Sequence, residues 1–410
     1  MEVTSLSAWI FWGSLAVIAY VYLGYPILLA LWSRLAARRG ARRAAAAGPR
    51  DLPPGKTAAP LPPISIIVVA RNEASRLPQR IDNLLSLEYP APREIIVVSD
   101  GSSDDTPGVL APYGSRVQVA MLPARGKWAA LNHGVTLARH DTFVFADARQ
   151  VFAPDALLQL VRPLADPAIG AVSGELVLDA EAGERRRRQD RRAGERAGAF
   201  DRRLNPRSVV ADGMGLYWRY EKALRKMEST VGSTLGTTGA IWAVRRALWQ
   251  PLPPDTILDD VLAPMRVVMR GRRVVFQEAA RAYDRVSDTP EVEARRKIRT
   301  LAGNVQILWL EPRLLVPLVN PVWLQYVSHK LGRLVVPYAM VALFLSNLWL
   351  APGHVLYAAA LAGQIAFYLL AAYGAYLDRT QLEARPTDDS RTPADAGGAW
   401  GRPADERPVI

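Results

Sequence analysis

With 410 residues and 51 Lys+Arg against 39 Asp+Glu, a net charge of +12, the chain has room for one large domain plus appendages. The absence of cysteine excludes disulfides and thiolate metal sites. The basic excess points to anionic lipid or a phosphorylated substrate. Nucleic acid is not expected as a partner, because the arginine clusters are not interleaved with aromatic residues on a strand. Ala8 to Trp32 is a run of 25 residues without a charge, long enough to cross a bilayer as a helix. Trp9, Trp12 and Trp32 lie near its ends, where indoles favour the interface. The length of the run, with Glu2 as the only charge before it, argues against a cleaved signal peptide. Residues 33–50 carry six arginines and no acid. By the positive-inside rule the chain beyond them is expected in the cytoplasm. Residues 44–63, rich in Ala, Pro and Gly, read as a tether.

Ile64 to Ala70 is an apolar run of Ile and Val entered through two prolines, which suits a buried parallel strand. Ser75 is expected to cap a helix with Leu77, Ile81, Leu84 and Leu85 on one face and Pro78 tolerated in its first turn. Glu94 to Ser99 reads as a second buried strand ending in Asp100-Gly101. The result is a βαβ unit with Arg71, Asn72, Glu73 and Asp100 at the carboxyl ends of its strands, where open α/β sheets bind ligands. Neither GxGxxG nor GxxxxGK[ST] occurs, so a dinucleotide fold and a P-loop are unsupported.

Val117 to Leu122 is expected as a strand. Gly126-Lys127 then opens a helix with Trp128, Leu131, Val135 and Ala138 on one face. A lysine at a helix start opposes the dipole. It reads either as a phosphate contact or as an ordinary surface residue. Thr142 to Ala146 is a third buried strand, ending in Asp147-Ala148-Arg149. Pro154 to Leu164 reads as a helix and Ile169 to Leu178 as a strand. Residues 184–207 hold ten arginines against four acids, a solvated loop or a contact for anionic headgroups. Leu216 to Met227 is an amphipathic helix bearing Glu221, with Glu228 just beyond. Ser233 to Ala240 is a small-residue loop in which Gly236 and Gly239 expose backbone. A strand follows at Ile241 to Val244.

Asp259-Asp260 precedes a helix from Val261 to Met269. A cap needs only one of the two acids; a base near an acceptor hydroxyl is the alternative use. Arg273 to Gln277 reads as a strand and Glu291 to Leu310 as a helix opening with Arg295, Arg296, Lys297 and Arg299. Leu314 to Ser328 is uncharged but only 15 residues long and contains Pro317 and Pro321. It is expected at the interface or as a re-entrant segment. Leu334 to Ala351 and Gly353 to Leu377 are expected as two further spans. Residues 378–410 are polar, Pro-rich and expected to be disordered. No zinc spacing, HExxH or GxSxG occurs, so a zinc protease and a Ser-His-Asp hydrolase are unsupported.

The runs SIIVVARNE and IIVVSDGSSDDT, with GKxxALN at Gly126, Lys127, Leu131 and Asn132, resemble the family-2 glycosyltransferases. The relatives in view are bacterial polysaccharide synthases of the cellulose and hyaluronan synthase type. The resemblance implies a GT-A fold: an α/β Rossmann-like mixed sheet flanked by helices, with transmembrane helices at both ends. It implies inverting transfer from a nucleotide-sugar, UDP-linked, to a lipid-linked or glycan acceptor. Ala70, Arg71, Glu73, Asp100 and Lys127 would hold the nucleotide. Asp147, at the DxD position, would contact ribose or a divalent metal, Mg²⁺ or Mn²⁺. Asp260 would be the base with Asp259 beside it. Gly236, Thr238, Gly239 and Arg296 would line the acceptor end, and Arg299 would meet the diphosphate.

Two departures bear on function. Arg149 stands where relatives carry the second acid, so the metal has fewer protein ligands, or Arg149 partly replaces it, or turnover is lost. Arg296-x-x-Arg299-Thr300 stands where processive relatives have QxxRW, which argues against long-chain products. Two other classes stay open: an inactive nucleotide-sugar-binding scaffold and a nucleotidyltransferase. The expected layout is a span within 1–32, a basic linker at 33–60, a cytoplasmic GT-A domain at 61–310, an interfacial segment at 311–333, two spans within 334–377 and a tail at 378–410. The expected location is the bacterial inner membrane. Three spans are few for a translocation path, so a homodimer or other assembly proteins are expected partners.

Overall fold

The computed structural model describes residues 2–46, 60–178, 209–284 and 290–383. The arginine-rich stretch 184–207, most of the tether and residues 384–410 of the tail lie outside these described residues. The apolar runs form strands as their composition demands. β1 (Ile64–Ala70) and β2 (Arg93–Asp100) are buried over nearly their whole lengths. Between them α3 (Leu77–Ser86) buries Leu77, Ile81 and Leu84, while Leu85 stays half-buried. Ser75 is not the cap of α3. Arg76 holds that position without a side-chain bond, and the Glu73 carbonyl accepts the amides of Arg76 (2.9 Å) and Leu77 (3.0 Å). Pro78 in the first turn pre-sets the helical φ, so the helix starts without a side-chain cap.

A short helix that hydrophobic periodicity did not reveal, α4 (Thr106–Leu110), is capped by the Asp105 carboxylate accepting from the Gly108 amide at 3.1 Å. Next come β3 (Gln118–Leu122), α5 (Lys127–Leu137) and β4 (Thr142–Asp147). β1 pairs in parallel with β2 and β4, and β2 with β3. The chain therefore leaves β1 in one direction across the sheet and returns to its other side. The gap between the carboxyl ends of β1 and β4 is the switch point where such sheets take ligands. The register sets Asp147 beside Val69 there.

The second half of the sheet is mixed. β5 (Val151–Phe152), α6 (Ala156–Val161) and β6 (Ile169–Leu178) precede α7 (Val209–Val231), β7 (Ile241–Arg245), α8 (Asp259–Met269), β8 (Arg273–Asp284) and α9 (Pro290–Leu310). The eight strands run in the order β3-β2-β1-β4-β7-β6-β8-β5, with β7 antiparallel to both neighbours. β8 continues past Gln277 to Asp284 because, beyond a register shift, Arg281 to Asp284 pair with Glu175 to Leu178 and then with β5. Side chains alternate between two cores. Ile66 and Val68 pack with α3 and α6 on one face; Ile67 packs with Leu131 of α5 and Leu262 of α8 on the other. Phe145 and Trp242 stack at 4.5 Å in the second core.

The apolar ends of the chain are helical. α1 (Glu2–Ala19) runs through a π-turn, Tyr20–Gly24, into α2 (Tyr25–Ala46), so residues 33–46 continue the helix. Beyond α9, Asn320 closes a turn: its Nδ2 donates to the Leu314 carbonyl at 2.9 Å, and its Oδ1 accepts from the Val322 amide at 3.0 Å. Pro317 and Pro321 both precede Trp323, where a helix starts. It passes through a π segment, Tyr326–Leu331, into α10 (Gly332–Leu350), and a turn at Ala351–Gly353 leads to α11 (Val355–Glu383). This apolar helix therefore begins within the stretch 311–333. Ser5–Arg39, Trp323–Gly353 and Val355–Gly374 are long and apolar enough to cross a membrane. The two π segments meet where Tyr20 Oη and Ser328 Oγ lie 2.7 Å apart. Gly332 permits this approach, since a Cβ there would sit 2.8 Å from Val21 Cγ2. Tyr25 and Leu29 of α2 pack on Leu224 of α7, which ties the first apolar helix to the domain.

Candidate active site

The loops after β1 and β2 are stitched together. Asn72, at φ 54°, accepts the Ser103 amide on its Oδ1 at 2.8 Å and donates its own amide to Ser102 Oγ at 3.1 Å. Asp104 Oδ2 accepts the Ala74 amide at 2.8 Å, and bonds from Thr106 and Ala74 hold its carboxyl below the usual range. Ala70 is buried at the end of β1, and Arg71 is exposed beside it. Glu73 pairs with Arg76 at 2.5 Å. Sequence reading singled out the charged members of these loops. It missed Asn72 and Asp104 as the groups that set their shape.

Asp100 lies at the end of β2 with its carboxylate on the turn before α5. Its Oδ1 accepts the amides of Arg125 (2.8 Å) and Gly126 (3.0 Å), and its Oδ2 accepts Gly126 again at 3.1 Å. The buried carboxylate thus holds the turn that launches α5. Gly101, at φ +64°, lets that turn close, since a Cβ would lie 2.5 Å from the Ala124 amide nitrogen. Removing the carboxylate in Asp100→Ala leaves two amides unanswered. We expect a loss of about 1–3 kcal/mol in stability, read by thermal melting, and weaker nucleotide binding through a displaced Lys127. Asp100→Asn, which keeps one acceptor oxygen, is expected to fall between. Unchanged melting and binding in Asp100→Ala would remove this positioning role.

Lys127 is the meeting point of the acidic motifs. Its Nζ lies 3.4 Å from Asp147 Oδ1 and 3.3 Å from Asp259 Oδ2. Burial alone would push the ammonium down, but Asp259, Asp147 and Asp260 together hold its pKa above the ordinary lysine value. A narrow cleft lies here, lined by Val69, Lys127, Asp147, Gly239, Trp242 and Asp259. Asp259 and Asp260 form the first turn of α8, where the helix dipole favours carboxylates. The Gly236–Gly239 loop lies on Asp260. The Thr237 amide donates to its carbonyl at 2.7 Å, and a Cβ on Gly239 would be 3.4 Å from Asp260 Oδ2. Burial first, and the Asp259 charge second, raise the Asp260 carboxyl above the usual range, against Lys127, Lys330 and Arg225.

α9 clamps the loop before the acid pair. Gln306 Oε1 accepts the Ile257 amide at 2.9 Å, and its Nε2 donates to the Asp255 carbonyl at 2.8 Å. Arg299 Nη2 donates to the Ile257 carbonyl at 3.1 Å, so this guanidinium supports the same loop. Arg296 lies one turn earlier on an exposed face. Gln306, which no motif flagged, does more for the site's shape than either arginine. Thr238 Oγ1 donates to the Gly174 carbonyl at 2.9 Å and accepts from Arg225 Nη1 at 3.0 Å.

Arg149 points toward β8, with Nη2 3.8 Å from Asp284 Oδ2; Gln150 Nε2 donates to the same oxygen at 2.7 Å. Among the described residues no group of three or more His, Asp or Glu is placed to hold a metal. The donor set fits a hard cation held by one or two carboxylates, with phosphate oxygens completing the shell. Behind Asp147, Arg80 is fully buried over the Phe152 ring at 4.0 Å. Burial lowers its pKa to about 9, against the pull of Asp147.

A half-parallel, half-antiparallel sheet with its acids at the β1/β4 switch point defines a nucleotide-diphospho-sugar transferase fold of GT-A type. Residues 65–248 match the model of the family described as Glycosyl transferase family 2. Over these residues the chain is similar to the family-2 glycosyltransferases. Among curated proteins it is similar to the poly-β-1,6-N-acetyl-D-glucosamine synthase of Staphylococcus aureus, 23% identical over 256 residues, covering 60% of this chain and 55% of the relative. The synthase of the same name from Staphylococcus epidermidis is 32% identical over 115 residues, 27% of this chain and 28% of that one. The chain thus spans only about half the length of the first of these relatives. Among solved structures, a mannosyltransferase from Pyrobaculum calidifontis, in complex with GDP-mannose and Mn²⁺, shares the fold. Its TM-score is 0.60 at 22% identity, covering 88% of this chain and 92% of that one.

Proposed function

We propose that this protein transfers a sugar, with inversion, from a nucleotide-sugar to a hydroxyl of a lipid-linked or glycan acceptor at the membrane surface. The observation that carries the reading is the convergence at Lys127. Its ammonium lies within 3.4 Å of both Asp147 and Asp259, so two motifs more than a hundred residues apart close on one cleft beside Asp260. The acceptor hydroxyl attacks the anomeric carbon, and Asp260 takes its proton. The bond from that carbon to the diphosphate oxygen breaks, and the nucleoside diphosphate leaves with the electron pair. Lys127 exchanges its carboxylate partners for the donor's phosphate. Ala70, Arg71 and Glu73 present the nucleotide end of the cleft; Gly236, Thr238 and Gly239 present the acceptor end. Arg299 acts on the leaving diphosphate through the loop it supports, and Arg296 stands further along the acceptor side.

Asp147 is the carboxylate that would hold a divalent cation on the diphosphate. When bound, Mg²⁺ or Mn²⁺ would neutralise charge developing on the leaving group. With Arg149 drawn toward Asp284, Asp147 would be the cation's principal protein ligand. The domain spanning 61–310 faces the cytoplasm in this reading, with α1–α2, the helix ending in α10, and α11 in a bacterial inner membrane. The basic residues after the first apolar run support that orientation.

The test uses detergent-purified protein with a panel of UDP- and GDP-sugars, following nucleoside diphosphate release with Mg²⁺, Mn²⁺ or EDTA. UDP-N-acetylglucosamine comes first, after the sugar named in the curated relatives, and GDP-mannose second. Release of UDP that EDTA abolishes is the expected result. Pyrophosphate release would mean nucleotidyl transfer. Binding without release, with membrane lipid supplied, would leave only a scaffold.

A further inference from the structure

The joint between the apolar helices and the sheet domain holds a histidine that the proposed transfer does not use. His329 lies in the π segment Tyr326–Leu331, with its side chain only 4% exposed. Its Nδ1 lies 2.6 Å from Glu228 Oε1, and its Nε2 lies 3.5 Å from Glu221 Oε2. Both glutamates belong to α7, two helical turns apart, so they share one face of it. The other oxygen of Glu221 pairs with Arg333, and Glu228 Oε1 also accepts from Tyr25 Oη of α2 at 3.0 Å. Arg333 donates to Tyr217 Oη at 3.3 Å and lies over the Tyr220 ring. Lys330, next in the chain, acts on both glutamates through its charge.

A neutral imidazole has one N–H and one bare nitrogen. Either tautomer would turn a lone pair toward one of the two carboxylates. The imidazolium donates from both nitrogens, and its charge offsets a Glu228 carboxylate that is fully removed from solvent. The arrangement reaches the site through α7. Arg225 stands one turn from each glutamate, and its Nη1 donates to Thr238 Oγ1 at 3.0 Å. The Thr238 amide donates to Ser173 Oγ at 2.8 Å, which seats the loop whose Gly239 lies against Asp260. Lys222 on the same helix pairs with Glu175 and, at 3.1 Å, with Glu278. One helix thus carries the bonds to the apolar helices and the bonds to the site.

We infer that His329 is an imidazolium bridging Glu221 and Glu228, and that it is a positioning residue: the bridge fixes α7 against the apolar helices and so seats the Thr238 loop on Asp260. The bridge stands on the geometry alone; its effect on rate rests on the transfer reading above. Raising the pH through the histidine's titration removes one N–H, leaves one carboxylate facing a lone pair and lets α7 shift. Transfer therefore has an alkaline limb that Asp260 does not produce.

The experiment has two arms, both on the full chain in detergent. Nitrogen-15 spectra of histidine-labelled protein, with the His329 signals assigned by their loss in His329→Gln, are expected to show both ring nitrogens protonated at neutral pH. A neutral imidazole there overturns the bridge. Initial rates across pH, with the donor that the panel above selects, form the second arm. His329→Gln is expected to lower kcat by about tenfold or more while the donor KM and the acid limb hold, and to abolish the alkaline limb. His329→Lys, which keeps a cation that titrates higher, should recover much of the rate and carry it to higher pH. Glu221→Gln removes one of the two carboxylates, so the histidine loses its proton more readily and the alkaline limb moves to lower pH. That variant carries the test if His329→Gln fails to fold. An alkaline limb unchanged in these variants overturns the positioning role. Absence of nucleoside diphosphate release with every donor defeats the transfer reading and the effect on rate with it, while the spectra still decide the bridge.

Discussion

Asp260→Asn is expected to abolish turnover by a factor of about 10²–10⁴, the range seen when a positioned base is removed, while nucleotide binding holds. The amide has the size of the carboxylate, so the Gly236–Gly239 loop keeps its seat, but it accepts no proton. The pH dependence sharpens the test. Asp260 is raised above the ordinary carboxylate range, chiefly by burial and then by the Asp259 charge. The rate should therefore rise with pH along an acid limb displaced upward from that of a solvated aspartate. Removing the like charge in Asp259→Asn lets Asp260 ionise more readily, so the limb moves to lower pH. The sign of the stability effect is opposite to that of a paired acid. A carboxyl whose folded pKa is raised binds protons more strongly in the native state, so stability falls as pH rises through the shifted value. Asp260→Asn should accordingly melt no lower than the parent at neutral pH. Initial rates across pH, with melting curves for both variants, check this. A turnover loss under about tenfold, or a limb that ignores Asp259→Asn, would move the base elsewhere.

The fold was legible because its signals were local. Ile64–Ala70 and Ile169–Leu178 are apolar runs whose lengths match their strands residue for residue, and α3 shows its buried face through the spacing of Leu77, Ile81 and Leu84. What escaped depended on partners distant in the chain. β8 reads as five residues by hydrophobicity, yet runs to Asp284 because β6 and β5 supply hydrogen-bond partners for its polar half. The start of the second apolar helix was obscured by Pro317 and Pro321, which end a turn and do not break the helix. At the site, the spacing of acids marked Asp147, Asp259 and Asp260, and the helix-start position marked Lys127. Spacing did not reveal that Asp100 serves the backbone of Arg125 and Gly126, or that Gln306 clamps Ile257. Both roles follow from which amides a tertiary contact leaves unpaired. Arg225 was hidden likewise, its helix face visible only through Glu221 and Glu228 at i−4 and i+3, whose partners lie on the apolar helices.

Lys127→Met is expected to weaken donor binding by about 10- to 150-fold, the effect of losing one charge-assisted bond to phosphate, and to shift the acid limb upward. Both effects come from one position. The ammonium stands between Asp147 and Asp259 and also acts on Asp260, so it is the common counterion of three carboxylates. With methionine there, Asp260 keeps its burial and its repulsion from Asp259 but loses the largest charge that opposed them. Its pKa climbs, and the limb moves the opposite way from that of Asp259→Asn. In the double variant, Lys127→Met with Asp259→Asn, the two limb shifts should largely cancel while the loss of donor affinity remains. Groups in direct contact are coupled in this manner, and a departure from additivity measures that coupling. Donor titrations and pH–rate profiles on the four proteins of this cycle separate the roles. If Lys127→Met leaves donor affinity intact and moves only the limb, the lysine serves the acid pair alone, and the diphosphate lies on other groups. If affinity falls and the limb stays, the lysine belongs to the phosphate and Asp260 takes its shifted pKa from burial and Asp259 alone.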